Sequence, residues 1–312
     1  MDKKIDKKVN IRNEILLNIE KSKAKTIGKV MRMLVLIAAL ISIFTSIGIV
    51  LTLITDASRF FSKVSVLNIF KTQLAPLAAN PSFGFLPLIA GTLMTSLIAM
   101  LVAIPIGLAA AIYMSEFSSA GIKKIIKPVM EVLAGIPTIV YGFFAYSFVT
   151  PLLMNIIPGL GAKNALSPGI VMGIMIIPIV SSLSEDAMNS VPGTIREGSL
   201  AMGATRLETT VKVIIPAAAS GIIASFVLAI SRAVGETMIV AIASGSSKNF
   251  TLDITQSMQT MTAYIVEFTS GDAGSGTIGY YSLYAVGLLL FIFTFGINII
   301  AQYVSRKLRE EY

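Results

Sequence analysis

The stretch that decides the fold runs from Glu197 to Pro216 and reads Glu197-Gly-Ser-Leu-Ala-Met-Gly203-Ala-Thr-Arg-Leu-Glu-Thr-Thr-Val-Lys-Val213-Ile-Ile215-Pro216. A short helix is predicted before Gly203, with Ser190 as its cap and Pro192 in its first turn. Gly203 then allows a left-handed residue that reverses the chain. A second short helix is predicted from about Thr205 toward Pro216. The pattern therefore indicates a compact knob of two helices around a glycine.

Long apolar runs flank this loop and occur through most of the chain. Of its 312 residues, 54% are hydrophobic and 13% are charged, and the mean hydropathy is +0.81. This composition is typical of a protein whose solvent is lipid. Because the sequence contains neither cysteine nor histidine, it excludes disulfides, thiolate chemistry, cysteine–histidine zinc sites and a histidine acid–base catalyst.

The apolar runs predict an all-α integral membrane protein with six transmembrane helices. A bilayer core about 30 Å thick requires roughly 20 apolar helical residues. The fourth run is short and contains Pro178, and proline inside a span should bend the helix there. The predicted spans are Met33–Thr55, Leu86–Met114, Pro128–Met154, Pro168–Leu183, Ala217–Ala243 and Tyr281–Val304.

Positive charge predicts the orientation of these spans. With the N-terminus inside, 19 of the 25 Lys and Arg residues fall on the inner side and 5 on the outer side, so both termini are expected in the cytoplasm. Ten of them lie within residues 1–32, which we interpret as a topology signal that contacts anionic lipid rather than nucleic acid. The predicted organisation is a basic tail (1–32), a first helix with an outer loop (33–85) and a core (86–312) containing an inner loop (184–216).

Two predicted spans carry a small residue at every fourth position, a spacing that favours close helix packing in lipid. The second span carries Gly91, Thr95, Ala99, Ala103 and Gly107. The fifth span carries Ala217, Gly221, Ser225, Ala229 and Ala233.

The chain lacks the phosphate-cradling motif G-x-x-x-x-G-K-[ST] that an ATP-hydrolysing protein needs. Its glycine-rich stretch, 271–276, has no following lysine and indicates a flexible turn. We therefore predict that the chain is not an enzyme, has no catalytic residue, and holds no metal or other cofactor. The energy for transport is expected to come from a partner chain or an ion gradient.

The loop quoted above resembles the signature loop of ABC-importer permeases. Counted from the glutamate, that family places Gly at +6, Ile at +16, Leu at +18 and Pro at +19, and the corresponding residues here are Glu197, Gly203, Val213, Ile215 and Pro216. Gly-Ser replaces the family's Ala-Ala, and the two aliphatic positions remain aliphatic. The resemblance implies a type I ABC importer permease whose loop inserts into a groove of an ATP-hydrolysing subunit. The docking residues it implies are Glu197, Ala201, Gly203, Ala204 and Pro216.

Four further strings resemble the phosphate-specific importer permease of the PstC type: Gly91-Thr-Leu-Met-Thr-Ser96, Gly135-Ile-Pro-Thr-Ile-Val-Tyr-Gly142, Ser182-Leu-Ser-Glu-Asp-Ala187 and Arg232-Ala-Val-Gly-Glu-Thr237. The choice between this type and its sister permease rests on Ala134–Gly142. The resemblance implies a bacterial-type inner membrane, a second permease subunit, two ATP-binding subunits and an extracytoplasmic phosphate-binding protein. That binding protein is expected to dock on outer loops 56–85 and 244–280.

Arg232 and Glu236 are charged residues within the predicted fifth span. A charge at that depth costs roughly 2.5–3.5 kcal/mol, so both should face protein or a water-filled path. One interpretation makes Arg232 a contact for the passing phosphate and Glu236 its counterion, since a guanidinium suits phosphate oxygens. The other makes them a local ion pair that only neutralises the helix.

Three other functions remain open from sequence alone. One is a permease of the same architecture for another oxyanion, such as molybdate or sulfate. Another is a proton- or sodium-coupled carrier, which the knob pattern and the scarcity of buried carboxylates disfavour. A structural membrane scaffold would leave the cost of burying Arg232 and Glu236 unexplained.

Overall fold

The computed structural model describes residues 2–272, 274 and 276–307 of the chain. These residues form an almost entirely helical protein with one short β-hairpin, in which Leu74 pairs with Phe83 and Ala75 with Ser82. The hairpin strands are β1 (Leu74–Ala75) and β2 (Ser82–Phe83). The helices are α1 (Asp2–Phe61), α2 (Leu86–Ile112), α3 (Ala120–Gly135), α4 (Thr138–Phe144), α5 (Thr150–Met154), α6 (Leu166–Asn189), α7 (Gly193–Ala201), α8 (Arg206–Thr209), α9 (Ile215–Ala217), α10 (Ala219–Val234), α11 (Met238–Ala243), α12 (Met261–Glu267) and α13 (Ile278–Lys307).

The chain divides into two compact units, one ending at Thr55 and the other beginning at Asp56. The first unit contains α1 as far as Thr55, and the segment Ile27–Phe61 of α1 includes an 18-residue stretch with a mean hydropathy of 2.8. Large apolar side chains are exposed around the whole helix between Ile27 and Ile54. A helix that is apolar on every side is suited to lipid.

Among its described residues, the second unit contains three unbroken helices long and apolar enough to cross a membrane: Leu86–Phe117, Leu166–Asn189 and Ile278–Ser305. Each of two bent helix pairs could form one further span. These pairs are α3 with Thr138–Met154, and Arg206–Ala217 with α10. Together with α1, the part of the chain that the structure describes has four candidate spans, or up to six when each bent pair counts as one.

The predicted third span is not one helix. The chain turns by 88° between Ala120–Gly135 and Thr138–Met154, so the segment that predicted one span from Pro128 is divided between two directions. Pro137 lacks a backbone N–H, and the residue before a proline avoids helical backbone angles. That residue, Ile136, is accordingly extended, with φ −66° and ψ 129°. The part after the break, Thr138–Met154, is at the short end of the length that a helix needs to span a bilayer.

The predicted fifth span is also broken. Helix α10 ends at Val234 and α11 begins at Met238, leaving Gly235, Glu236 and Thr237 between them. At its other end a 71° bend separates Arg206–Ala217 from α10. The prediction of one helix over Ala217–Ala243 was therefore wrong, because apolar composition alone does not reveal the local bonding of the Gly-Glu-Thr segment.

Three of the small residues of α2, Thr95, Ala99 and Gly107, approach α6, whereas a Cβ added at Gly91 would meet the carbonyl of Gln259. Gly91, Thr95, Ala99, Ala103 and Gly107 are all buried. A Cβ added at Gly107 would lie 2.8 Å from Cβ of Val180 on α6, a distance too short for two carbon atoms. On the fifth-span face, Ser225, Ala229 and Ala233 are buried.

Three apolar clusters form the core of the second unit. The first surrounds Phe60 and Phe85 and joins the hairpin to α12 and the start of α13. The second lies between α2, α6, α10 and α11, around Met172 and Ile176. The third lies beside the loop that contains α7 and α8, around Met188 and Ile214, and so fixes that loop to the ends of the long helices.

Candidate functional site

The turn at Gly203 has the predicted left-handed geometry. Gly203 has φ +90°, and its N–H donates to the carbonyl of Leu200 at 3.0 Å. The N–H of Ala204 donates to the carbonyl of Ser199 at 3.3 Å. These two bonds make the paired closure of a helix end that glycine favours, because a side chain at positive φ is strained. The prediction that a helix ends at Gly203 is confirmed.

The second helix begins directly after this turn with a reciprocal cap. Thr205 Oγ1 accepts from the N–H of Glu208 at 3.3 Å, and Glu208 Oε2 accepts from the N–H of Thr205 at 3.0 Å. Hydrogen bonding lowers the pKa of Glu208 below its usual value. The backbone N–H of Thr205 has the largest effect, and the Thr205 hydroxyl and the charge of Lys212 have smaller ones. The helical path then continues through a wide turn, Thr210–Ile214, into α9, as predicted.

The prediction that Ser190 caps α7 was wrong. Helix α6 continues to Asn189, six residues beyond the predicted end of the fourth span. Ser190 therefore terminates α6, and its hydroxyl donates to the carbonyl of Ala187 at 2.7 Å. Helix α7 begins at Gly193 after Pro192, whose side chain cannot provide a cap.

Helices α7 and α8, with the Gly203 turn between them, form one unit that we call the knob. A hydrogen bond of 2.9 Å between Ser199 Oγ and Thr209 Oγ1 joins its two helices. Large apolar side chains on and beside the knob are uncovered, including Met202 (89% exposed) and Leu207 (61% exposed). An exposed apolar surface beside charged residues is typical of a protein interface. Of the predicted docking residues, Glu197, Ala201, Gly203 and Pro216 are exposed and Ala204 is half-buried.

The structure separates Arg232 from Glu236. Arg232 lies exposed in the last turn of α10, where a cation is favourable beside the unpaired carbonyl groups of the helix end. Glu236 is 9% exposed. Its Oε1 accepts from the N–H groups of Met238 at 3.0 Å and Ile239 at 3.4 Å. Among the described residues these two side chains form no ion pair, with each other or with another residue, so the predicted pairing was wrong.

Contacts on both sides hold the break that contains Glu236. The hydroxyl of Thr262 donates to the carbonyl of Glu236 at 2.8 Å. Helix α11 packs closely on α4, where a Cβ added at Gly142 would lie 2.9 Å from Cδ1 of Ile242. Glu236 thus bonds backbone groups that a continuous helix would have satisfied, which explains how the chain tolerates a break here.

The third-span motif has a structural role at the other break. The hydroxyl of Tyr141 on α4 donates to the carbonyl of Leu133 on α3 at 2.8 Å. This bond crosses the bend at Ile136 and Pro137, and it adds to the longer bond of 3.4 Å that the same carbonyl accepts from the N–H of Ile136. Tyr141 therefore sets the relation of α3 to α4.

Two carboxylates with structural partners escaped the sequence analysis. Glu116 lies in the wide turn Tyr113–Phe117 that follows α2, and Glu185 lies near the end of α6. Each forms an ion pair with a residue on another element, Glu116 with Arg196 and Glu185 with Lys127. Glu185 stands in one of the strings that carried the family resemblance, but pairing between distant elements leaves no local signal in sequence.

Known proteins match both the sequence and the fold. The family described as "Binding-protein-dependent transport system inner membrane component" matches residues 103–310. The chain belongs to this family. It is 34% identical to "Probable ABC transporter permease protein YqgH" of Bacillus subtilis over 88% of this chain and 90% of the relative. It is also 34% identical to "Phosphate transport system permease protein PstC" of Mesorhizobium japonicum, over 72% and 74% of the two chains.

A further relative and two solved structures are also similar to this chain. A "Probable phosphate transport system permease protein PstC" of Methanocaldococcus jannaschii is 31% identical over 81% of this chain and 84% of that protein. Among solved structures, a permease chain of the inward-facing MetNI methionine ABC transporter has a TM-score of 0.54 at 15% identity and covers 72% of this chain and 94% of its own. A bacterial alginate ABC transporter, solved with a pentasaccharide-bound periplasmic protein, has a TM-score of 0.59 at 16% identity and covers 82% and 88%.

These findings confirm the predicted fold class: this family member is an all-α membrane protein with ABC importer permease architecture. The family is one of transporter permeases. The predicted roles of Arg232, Glu236 and the knob in transport remain predictions.

Proposed function

We propose that this chain is the permease subunit of an ATP-driven phosphate importer in a bacterial-type cell membrane. The observation that carries the proposal is the similarity, over 72% and 81% of the chain, to phosphate transport permeases of two organisms. It is supported by the exposed guanidinium of Arg232 in the membrane-spanning core, which can bind an anion. No step of covalent chemistry is assigned to this chain, and ATP hydrolysis is assigned to partner subunits.

Arg232 is proposed to line the phosphate path. Its guanidinium is exposed at the end of an apolar helix and has no ion pair among the described residues. Facing lipid would cost roughly 2.5–3.5 kcal/mol, so this side of α10 should instead face a second permease subunit across a hydrated path. A planar guanidinium can donate two parallel hydrogen bonds to phosphate oxygens. Glu236 is proposed to shape the same path by holding the break after α10.

The knob is proposed to dock into an ATP-binding subunit, with one such subunit for each of two permeases. Its exposed apolar side chains and its rigid double cap suit insertion into a groove. The excess of Lys and Arg on the knob side of the spans supports a cytoplasmic location for the knob and for both termini. We retain the division into a basic tail (1–32), a first helix with its outer loop (33–85) and a core (86–312).

The opposite side of the chain is proposed to receive an extracytoplasmic phosphate-binding protein. Outer loop 56–85 contains the β-hairpin, and outer loop 244–280 contains an ion pair of 2.7 Å between Lys248 and Glu267. A depression of about 550 Å³ lies between these loops, lined by the hairpin strand β1 and by Lys248, Asn249 and Phe250. Neither a cofactor nor nucleic acid is part of this proposal.

Transport by the purified complex tests the function. The chain is co-expressed with its second permease and ATP-binding subunits, reconstituted into liposomes and supplied with the binding protein and radiolabelled phosphate. We expect phosphate accumulation that requires ATP and resists excess sulfate and molybdate. Competition by either anion would favour the other-oxyanion permease. Accumulation driven by an ion gradient without ATP would favour a secondary carrier, and accumulation of none of these anions would contradict the proposal.

A further inference from the structure

A continuous series of polar contacts runs from the knob to α3 through the two carboxylates that the sequence analysis missed. Only 8% of the Glu116 side chain and 2% of the Glu185 side chain is exposed. A buried carboxylate without a partner is strongly destabilising. Each must therefore keep its partners as the protein moves, which makes the elements that they join move together.

The knob end of the series is the ion pair between Arg196 and Glu116. Arg196 lies on α7, and its Nη2 is 2.9 Å from Oε1 of Glu116 in the wide turn after α2. A second ion pair joins Glu208 of the knob to Lys212 in the wide turn that follows α8, and these two residues are only four apart in sequence. The Arg196 pair is thus the ion pair that ties the knob to the long helices among the described residues.

The opposite end is the group around Glu185 on α6. Oε1 of Glu185 lies 3.1 Å from Nζ of Lys127 and 4.0 Å from Nζ of Lys123, both on α3. Nδ2 of Asn189 donates to the same oxygen at 3.3 Å. Helix α3 leads into the 88° bend before α4, so this group holds the element that sets the direction of the third span.

Ser115 joins the two ends. Its Oγ is 2.8 Å from Oε1 of Glu116 and 3.1 Å from Oδ1 of Asn189. A hydroxyl has one proton to donate, so Ser115 can satisfy one of these acceptors at full strength at a time. The joint therefore has two arrangements, one bonded toward the knob and one bonded toward α6. A contiguous network with such a two-state element is the physical requirement for carrying coupling between sites.

We propose that Arg196, Glu116, Ser115, Asn189, Glu185 and Lys127 form a coupling relay. The relay conveys displacement of the knob by the ATP-binding subunit to α3 and thereby to the broken third span. These are positioning residues: they touch neither ATP nor substrate, and they act through the helices that they connect. The inference rests on the proposed docking of the knob but not on the identity of the transported anion.

The test is a double-mutant cycle on two relay residues that have no contact in the structure, Arg196 and Glu185. The variants are Arg196→Gln, Glu185→Gln and the two combined, assembled as the full complex in liposomes. The matched control is Asp186→Asn, because Asp186 neighbours Glu185, is exposed and forms no ion pair among the described residues. Readouts are recovery of the ATP-binding subunits, their basal ATP hydrolysis, and the stimulation of hydrolysis by loaded binding protein.

We expect each single variant to lose about fivefold in stimulation, expressed relative to the basal hydrolysis of the ATP-binding subunits that it recovers. Because the two residues act in series, the double variant should lose no more than the worse single variant. Distant residues with independent structural roles would instead give losses that multiply, and that result would overturn the relay. Unchanged stimulation in both single variants, or an equal loss in Asp186→Asn, would also overturn it.

Two further measurements keep the test decisive. If Glu185→Gln fails to assemble, Ser115→Ala removes the joint with little change in volume, and Ser118→Ala in the same segment is its control; equal behaviour of the two would contradict the relay.

A readout independent of the anion uses Lys124→Cys in this cysteine-free chain. We expect ATP to change the maleimide reactivity of that site, and Arg196→Gln to abolish the change. A response unaffected by Arg196→Gln would refute the relay even if phosphate proved to be the wrong substrate.

Discussion

Arg232 and Glu236 stand on opposite sides of a helix end, and Glu236 bonds backbone N–H groups rather than the guanidinium four residues before it. A continuous helix would have brought the two side chains within reach of each other. The break at Gly235 instead gives each residue its own role. Removing Arg232 leaves Glu236 with its backbone partners, so the function of the arginine can be tested by a single substitution.

The number of spans gives the first prediction. Reporter fusions after Lys71, Lys163 and Lys248 should all report the outer side, and fusions after Lys124 and Arg206 the inner side. The physical reason is the excess of positive charge on the inner segments. If neither bent pair crosses the membrane, Lys163 will report the inner side and Arg206 the outer side, and the six-span topology will be wrong.

The turn of the knob gives the second prediction. Gly203→Ala places a Cβ at φ +90°, which costs about 1–2 kcal/mol, so the knob should be distorted and recovery of the ATP-binding subunits with the permease should fall. Membrane insertion should be unchanged. The measurement is the amount of ATP-binding subunit that co-purifies with a fixed amount of permease.

Gly198→Ala is the matched control for this change. A Cβ at either glycine meets no atom within 4 Å, but Gly198 lies within α7 and its backbone is not at positive φ. Alanine there should support the helix, and the ABC-importer permeases that the loop resembles carry alanine at this position. Equal co-purification of the two variants would show that the left-handed turn is not required for docking.

The bond across the third-span bend gives the third prediction. Tyr141→Phe leaves the Leu133 carbonyl with only the longer bond from the N–H of Ile136 and should destabilise the permease by about 1 kcal/mol, lowering its Tm by roughly 2–4 °C. Tyr146→Phe is the control, since Tyr146 is 41% exposed. Thermal unfolding of the purified protein in detergent measures both. If the Tm of Tyr141→Phe is no lower than that of the control, the hydrogen bond from Tyr141 does not stabilise the bend.

Local chemistry explains what could be predicted from the sequence. The left-handed turn at Gly203 and the cap at Thr205 depend on residues within a few positions of each other, so their pattern was sufficient. The small residues of α2 predicted close packing for a similar reason, because residues four apart, such as Thr95 and Ala99, lie on one side of a helix. The membrane-protein class followed from composition.

The elements that the sequence did not predict depend on contacts between distant segments. The break after Val234 needs Thr262 to bond the carbonyl of Glu236, and 26 residues separate those two. The end of α6 was placed too early because its last turns are polar, although Glu185 is buried by partners on α3. An apolar-run criterion cannot detect a polar helical turn whose charges are paired elsewhere in the fold.

The measurement that tests the central claim most directly is phosphate uptake by Arg232→Gln and Arg232→Lys, normalised to the amount of assembled complex in liposomes. Because the guanidinium is proposed to contact the passing anion, Arg232→Gln should assemble normally and lose at least about tenfold in uptake, as expected for removing hydrogen bonds from a charged group. Arg232→Lys keeps the charge without the planar pair of donors and should retain part of the activity. Uptake by Arg232→Gln at the level of the parent complex would contradict the claim that this residue lines a phosphate path.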